Sequence, residues 1–227
     1  MMIERCCAFT GHRPKKFPWG YDETDARCVT LKRMLSKQIA TLVGAGYTAF
    51  LSGMAEGSDT WAALAVFALK KENPALKLHC VLPCEGQADQ WSASARELYY
   101  SILKQADSIV YVNRKYNKEC MLKRNRYLVE HSAYLLAVYN GEWRGGTAMT
   151  VRYARNWGGR LLFSTQLLQK GWSGNIPVIL NRKLLIDFAF ISPWSCHMSV
   201  EWVLQADIYF AKITSSFIMR RASCSSL

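Results

Sequence analysis

Apolar and polar residues follow two rhythms along the chain. Five short apolar runs predict buried strands, and in the segments between them apolar residues recur at helical spacing. The predicted strands are ERCCAF, YTAFLS, KLHCVLP, DSIVYV and AYLLAVY. Regular alternation of strand and helix is typical of an α/β fold, with a doubly wound, mostly parallel sheet and helices on both faces.

The helical pattern is clearest over residues 25–43, where apolar side chains mark one face before Gly44 and Gly46 end it. The same spacing predicts helices over 59–71, 94–105, 123–132 and 147–155. After GGRLLFS the periodicity fades. We therefore predict one α/β domain over residues 1–165 and a C-terminal segment, 166–227, to which the pattern assigns no structure.

Composition narrows the class of partner. The chain has 227 residues, is half hydrophobic and carries a formal net charge of +12, so anionic partners such as nucleotides or nucleic acids are favoured over cationic ones. Its eight cysteines are scattered without paired Cys-x-x-Cys units, which favours reduced thiols over a metal site. The N-terminus lacks a signal-peptide pattern and no apolar stretch has the length of a membrane span, so we expect a cytoplasmic protein with no membrane partner.

Three unusual loops follow predicted strands, and in an open parallel sheet such loops share the edge where ligands bind. The first contains TGHRPKK, in which Thr10, Gly11, His12 and Arg13 are candidate ligand contacts. Arg13 can form a fork on phosphate oxygens. His12 has no evident orienting carboxylate, which favours a ligand-contacting or structural imidazole over a general acid or base.

The second loop is SGMAEGSD, residues 52–59. Gly53 and Gly57 permit close approach of backbone to a ligand, and Ser52 offers a hydroxyl. Asp59 has two candidate roles, accepting a hydrogen bond from a ribose hydroxyl or capping the following helix.

The third loop, NGEWRGGTAMT, carries the candidate contacts Gly141, Gly145, Gly146, Thr147 and Thr150. Gly145, Gly146 and Thr147 lie where a helix is predicted to begin, so backbone N–H groups there can bind a phosphate at the positive end of the helix dipole. A tight turn with Thr147 as the helix N-cap is the alternative interpretation of this segment taken alone.

A basic run, residues 113–126, follows the fourth predicted strand and holds six cations, among them Arg124, against one acid. Such a run has three interpretations: a solvated surface, a segment that closes over an anionic ligand, or a binding site for a nucleic-acid backbone. Trp91 is a candidate either to stack on a base or to pack against the core.

The segments FTGHRPKK, LSGMAEGSDTWAA, VLPCEGQADQW and YNKECMLKRNRYLVEHSAYLLAVYNGEWRGGTAMTVRYA together resemble the YpsA-type branch of the SLOG superfamily, over residues 3–164. The resemblance implies a Rossmann-like fold and a nucleotide or nucleotide-derived ligand at the Gly-Gly-Thr loop. It does not imply a single reaction, a cofactor or an oligomeric state.

Two related families supply alternatives. Nucleotide phosphoribohydrolases of the LOG type carry a catalytic glutamate after their glycine-rich loop; GGTAMTVRYA has none, so Glu130 or Glu142 would have to substitute in a nucleotide N-glycosidase. The SG-x-A-x-G-x-D loop of DprA-type proteins is similar to residues 52–59 here and implies single-stranded DNA binding as the other alternative. Nucleotide binding or sensing is the leading hypothesis.

The domain boundary yields the first test. We expect limited proteolysis to remove the segment after residue 165 and leave a folded core, because the alternation of strands and helices ends there. Mass spectrometry identifies the resistant fragment and circular dichroism reports whether it is folded. A single cut in the segment that unfolds the whole chain would show that the boundary is wrong.

Overall fold

Six strands make up the sheet in the computed structural model, which describes residues 3–157 and 160–164. They are β1 (Cys6–Gly11), β2 (Ala49–Ser52), β3 (Lys77–Leu82), β4 (Ser108–Tyr111), β5 (Tyr134–Val138) and β6 (Arg160–Ser164). The strand order is β4-β3-β2-β1-β5-β6, and each strand runs parallel to its neighbours. The predicted parallel sheet is therefore confirmed.

Five α-helices connect the strands and cover both faces of the sheet, as predicted. They are α1 (Ala26–Gly44), α2 (Ser58–Lys70), α3 (Ala93–Gln105), α4 (Cys120–Glu130) and α5 (Gly146–Asn156). Two hydrophobic clusters fill the two sides: α1, α2 and α3 pack on one face, and α4 and α5 pack on the other. The described part of the fold is a doubly wound, Rossmann-like α/β architecture.

The helices begin in two chemically different ways. Asp25 caps α1 by accepting a hydrogen bond from Arg27 N at 2.8 Å, and Ser92 caps α3 by accepting from Ala95 N at 3.2 Å. The N-caps of α2 and α5 are instead Gly57 and Gly145, whose φ angles of 96° and 109° suit glycine and which supply no capping side chain. The first N–H groups of α5 are thus left without a side-chain partner from the N-cap residue.

The order of the strands reverses direction between β1 and β5. From β1 the chain adds β2, β3 and β4 on one side, whereas β5 and β6 lie on the other. β1 pairs with β5 as far as Gly11 opposite Val138, so the loops that leave these two strands diverge from the same point. Open α/β sheets form a ligand-binding crevice at this kind of switch.

Some predicted boundaries shift. The sequence predicts Thr10 and Gly11 in a loop, but they are the last two residues of β1. Ser52, which ends a predicted strand and begins the second loop, is the last residue of β2. The central position of β1 explains the longer strand, because β5 supplies hydrogen-bonding partners for Thr10 and Gly11. The predicted segment 166–227 lies outside the described residues.

Two further observations concern the described chain. Its six cysteines are all buried free thiols. None of its helices combines the length and the apolar character needed to cross a bilayer.

Candidate functional site

A cleft with a volume of about 1270 Å³ opens at the carboxyl edge of the sheet, above the switch between β1 and β5. Its walls come from the β1–α1 loop, the first turns of α2 and α3, one side of α4 and the start of α5. Ten of the candidate residues line it: Thr10, Gly11, His12, Arg13, Gly57, Asp59, Arg124, Gly145, Gly146 and Thr147.

Four candidate residues do not line the cleft: Ser52, Gly53, Gly141 and Thr150. The Ser52 hydroxyl is buried and donates to the Asp59 carbonyl at 3.1 Å. The Thr150 hydroxyl donates to the Gly146 carbonyl one turn earlier at 2.8 Å. Gly141 occupies a turn with a φ of 88°. The hydroxyls of Ser52 and Thr150 are thus used within the protein.

A buried ion pair joins the second loop to α4. Arg124 Nη1 donates to Asp59 Oδ2 at 3.3 Å, and the same oxygen accepts from Ala55 N at 3.2 Å. Only 3% of Asp59 and 5% of Arg124 are exposed. Burial raises the pKa of Asp59 and lowers the pKa of Arg124, since removal from water disfavours both charged forms, while each partner opposes the shift of the other.

The ion pair explains two residues of the second loop. A side chain at Gly53 would meet Arg124, because a Cβ there would lie 1.4 Å from Nη1. The capping role predicted for Asp59 is wrong: Gly57 is the N-cap of α2, and the Asp59 carboxylate accepts from Arg124 instead. Arg124 Nε is buried without a hydrogen-bond partner in the described chain, and Arg124 reaches the cleft wall.

Further hydrogen bonds hold the second loop in place. Gln87 Nε2 donates to the carbonyls of Gly53 and Met54 at 3.2 and 2.7 Å, and the Ser58 hydroxyl donates to the His12 carbonyl at 3.0 Å. Sequence reasoning missed Gln87, because an amide that binds backbone carbonyls more than thirty residues away leaves no local pattern.

The first and third loops are tied together. His12 Nε2 lies 2.8 Å from Asn140 Oδ1, and Lys16 Nζ lies 2.9 Å from Glu142 Oε2. Burial lowers the pKa of His12, which favours the neutral imidazole near pH 7, although the hydrogen bond to Asn140 opposes this shift. The partner of His12 is an amide rather than a carboxylate, which fits a structural imidazole better than a general base.

The start of α5 offers an open, positively polarised surface. Within residues 3–157 and 160–164, chain neighbours and the helix backbone apart, no heavy atom lies within 4 Å of a Cβ placed at Gly145, and only Asn125 Nδ2, at 3.9 Å, lies that close to one placed at Gly146. Thr147 is not the N-cap, since its hydroxyl donates to the Gly11 carbonyl at 3.0 Å. Gly145, Gly146 and Thr147 line the cleft, so the first N–H groups of α5, which have no partner within the helix, lie at its wall together with the positive end of the helix dipole.

Six cations of the part of the chain that the structure describes line the cleft, and they divide into two groups. Lys16, Lys32 and Arg124 form ion pairs with Glu142, Glu23 and Asp59. The side chains of Arg13, Lys15 and Arg144 form no hydrogen bond or ion pair with any other described residue. These three charges are available to an anion in the cleft.

The basic run splits in a similar way. Arg124 is its only cation that lines the cleft. Lys123 pairs with Glu119 at 3.1 Å, and the guanidinium of Arg126 lies 5.5 Å from the centre of the Tyr153 ring, on the side where α4 meets α5. Within residues 3–157 and 160–164, no group of three or more His, Cys, Asp or Glu side chains is arranged to hold a metal ion.

The ion pair of Asp59 and Arg124 yields a stability test. We expect Arg124→Met to lower the free energy of unfolding at pH 7 by roughly 3–5 kcal/mol, because it leaves a buried carboxylate without its cation. The loss should be smaller at pH 5. Without Arg124, the folded-state pKa of Asp59 rises further above its unfolded value of about 3.9. The stability of the variant is therefore retained at low pH and is lost as the pH rises through the folded-state pKa.

Urea titrations at pH 5 and pH 7 measure both effects. The matched control is Lys123→Met, which removes an exposed, ion-paired cation one residue away and should change the unfolding free energy by about 1 kcal/mol or less. Adding Asp59→Asn to Arg124→Met should recover part of the stability and remove the pH dependence. Equal stability of Arg124→Met and the wild type at pH 7 would contradict the assigned role of the pair.

Comparison with known proteins identifies the family to which the chain belongs. The sequence model of YpsA, described as the YspA SLOG family, matches residues 7–170. A UPF0398 protein of Bacillus pumilus strain SAFR-032 is 33% identical over 153 residues, covering 66% of this chain and 81% of that protein. A UPF0398 protein of Bacillus cereus strain G9842 is 34% identical over 154 residues, with 66% and 83% covered.

Among solved structures, the fold is similar to that of DNA processing protein A (DprA) from Streptococcus pneumoniae, with a TM-score of 0.44 and 17% identity over 71% of this chain. The chain spans 50% of the length of that DprA chain. The family match extends from β1 beyond the end of β6 and contains all three loops that build the cleft. The protein thus belongs to the YspA SLOG family.

Proposed function

We propose that the protein binds or senses a nucleotide or nucleotide-derived small molecule in the cleft at the carboxyl edge of the sheet. The observation that carries the proposal is that the start of α5, at Gly145 and Gly146, lines the same cleft as the guanidinium groups of Arg13 and Arg144, which pair with no other described residue. A phosphate at this position gains hydrogen bonds from the first turn of the helix, the favourable end of its dipole and charge-assisted contacts from two arginines.

The part of the cleft wall at the start of α3 suits a base. Trp91, Ala95 and Leu98 line it. Trp91 packs edge-on against Tyr99 with ring centres 5.3 Å apart, which keeps its indole in a defined orientation. Ligand pockets are commonly about 300–1,000 Å³, so the cleft has room for a nucleotide together with ordered water or a further substituent.

The nucleic-acid alternative receives less support from the distribution of charge. An extended strand needs a continuous series of cations along its backbone. Among the cations of residues 113–126, Arg124 lies in the cleft but is committed to Asp59, whereas Lys123 and Arg126 lie outside it. The cleft itself is lined by only three described cations without a partner, Arg13, Lys15 and Arg144, a number that favours one localised phosphate over an extended strand.

The glycosidase alternative lacks its carboxylate at the expected place. Glu130 accepts a hydrogen bond from the Tyr153 hydroxyl at 2.5 Å, and Glu142 pairs with Lys16. Neither glutamate lines the cleft. We therefore expect no release of free base when the protein is incubated with nucleoside monophosphates.

A thermal-shift screen tests the proposed function. Nucleoside mono-, di- and triphosphates at about 100 times their dissociation constant should raise Tm by roughly 5 °C or more, since such an excess stabilises the folded state by about 2.7 kcal/mol. Gly146→Asp should abolish the shift by adding a side chain and a negative charge at the helix start. Gly44→Asp is the control: it adds the same charge at the open end of α1 and should leave the shift intact. No shift with any phosphorylated compound would contradict the proposal.

Salt dependence separates a nucleotide from a nucleic-acid strand. Single-stranded binding weakens by roughly 0.7 log units per log unit of salt for each phosphate contacted, so an extended strand gives a steep slope. We expect a shallow slope and no gain in affinity with oligonucleotide length, measured by fluorescence anisotropy. Tight binding that strengthens with length and weakens severalfold in the Lys123→Gln/Arg126→Gln variant would instead support DNA binding.

A further inference from the structure

Among the described residues, four carboxylates line the cleft, and three of them are committed to partners within the protein. Asp22 accepts from the Thr24 amide and hydroxyl at 2.9 and 2.6 Å. Glu23 accepts from the Trp61 indole at 2.8 Å and from Lys32 at 2.7 Å, and Asp59 accepts from Arg124 at 3.3 Å. Each of these acids has a structural explanation.

Glu56 is the exception. Its side chain is partly buried in the cleft wall, yet it forms no hydrogen bond or ion pair with any other residue of 3–157 and 160–164. Burial raises its pKa, and the neighbouring positive charge of Arg13 opposes that shift. Within the described chain the Glu56 carboxylate thus has its hydrogen-bonding capacity free for a donor on a ligand in the cleft.

The backbone around Glu56 is fixed, so its position is defined. Met54 is held by Gln87, and Ala55 N donates to Asp59. A Cβ added at Gly57 would lie 2.9 Å from Pro14 Cδ, so this residue packs directly against the loop that carries Arg13. The second loop therefore presents one unengaged acid beside one unengaged arginine.

The chemistry of this pair indicates which part of a ligand lies there. A carboxylate is a hydrogen-bond acceptor only and repels a phosphate, so Glu56 requires O–H or N–H donors. The vicinal hydroxyls of ribose offer two donors to its two oxygens, as in the acidic side chains that bind ribose in other α/β nucleotide sites. In a nucleotide, these hydroxyls are on the same sugar as the phosphate that Arg13 and the start of α5 attract.

We propose that Glu56 binds the 2′,3′-diol of a ribonucleotide, so that the cleft selects ribose over deoxyribose. This inference rests on the proposed function and adds the sugar to it. The sequence suggested Asp59 as a ribose contact, and the proposal assigns that contact to Glu56, three positions earlier. It also gives the site a means of discriminating against DNA.

Paired ligands and variants test the inference. The probes are AMP, GMP, CMP and UMP, each with its 2′-deoxy counterpart, titrated by calorimetry into the full-length wild type, Glu56→Gln and Glu56→Ala. Because hydrogen bonds to charged groups are strong, we expect loss of the 2′-hydroxyl to weaken binding to the wild type by about 10- to 100-fold. In Glu56→Ala the ribo and deoxy forms should bind within about threefold of each other, whereas Glu56→Gln, whose amide oxygen still accepts a neutral hydrogen bond, should keep a preference smaller than that of the wild type.

The control is Glu97→Gln, an exposed glutamate on α3 that does not line the cleft, which should keep the full preference for ribose. Equal binding of ribo and deoxy forms by the wild type would overturn the Glu56 inference and leave nucleotide binding intact. Undiminished discrimination in both Glu56 variants, with Tm values equal to the wild type, would overturn it as well. If no nucleotide with either sugar binds to the wild type, the proposed function itself fails, and the inference falls with it.

Discussion

The buried ion pair between Asp59 and Arg124 is the constraint on which the cleft depends. It ties the first turn of α2 to α4, which packs on the other face of the sheet, and it passes directly over Gly53. Such pairs stabilise little compared with well-packed apolar side chains, but losing one partner leaves an uncompensated buried charge. The pair therefore fixes the position of the second loop relative to α4. The hydrogen bond from the Ser58 hydroxyl to the His12 carbonyl in turn fixes the first loop relative to the second.

Glycines in the three loops serve two separate purposes. A Cβ at Gly11 would lie 2.4 Å from Ser58 Cβ, so this glycine allows α2 to approach β1. Among the described residues, Gly145 and Gly146 have no such contact, and a Cβ on either would meet nothing closer than Asn125 Nδ2 at 3.9 Å. The packed glycine preserves the shape of the cleft, whereas the open pair leaves room for a ligand at the helix start.

The sequence was sufficient for the fold, because the alternation of buried strands with amphipathic helices depends on local periodicity. Each of the five predicted helices begins within three residues of its observed start. It was less informative about the site, where roles depend on contacts between distant residues. Asp59 and Arg124 are 65 positions apart and His12 and Asn140 are 128 apart, so neither pairing leaves a local signal. The role of Glu56 could not be predicted from the sequence for the same reason, because only the structure shows which carboxylate in the cleft has no hydrogen-bond donor within the described chain.

The unengaged arginines of the cleft, Arg13 after β1 and Arg144 before α5, make the central claim directly measurable. Calorimetric titration of the tightest-binding nucleotide into Arg13→Gln/Arg144→Gln, compared with Lys123→Gln/Arg126→Gln, removes the same charge inside and outside the cleft. The account predicts that the cleft variant loses at least about tenfold in affinity, as expected for charge-assisted hydrogen bonds to phosphate, while the other variant binds like the wild type. Equal affinity of the two variants would contradict a phosphate site at this helix start.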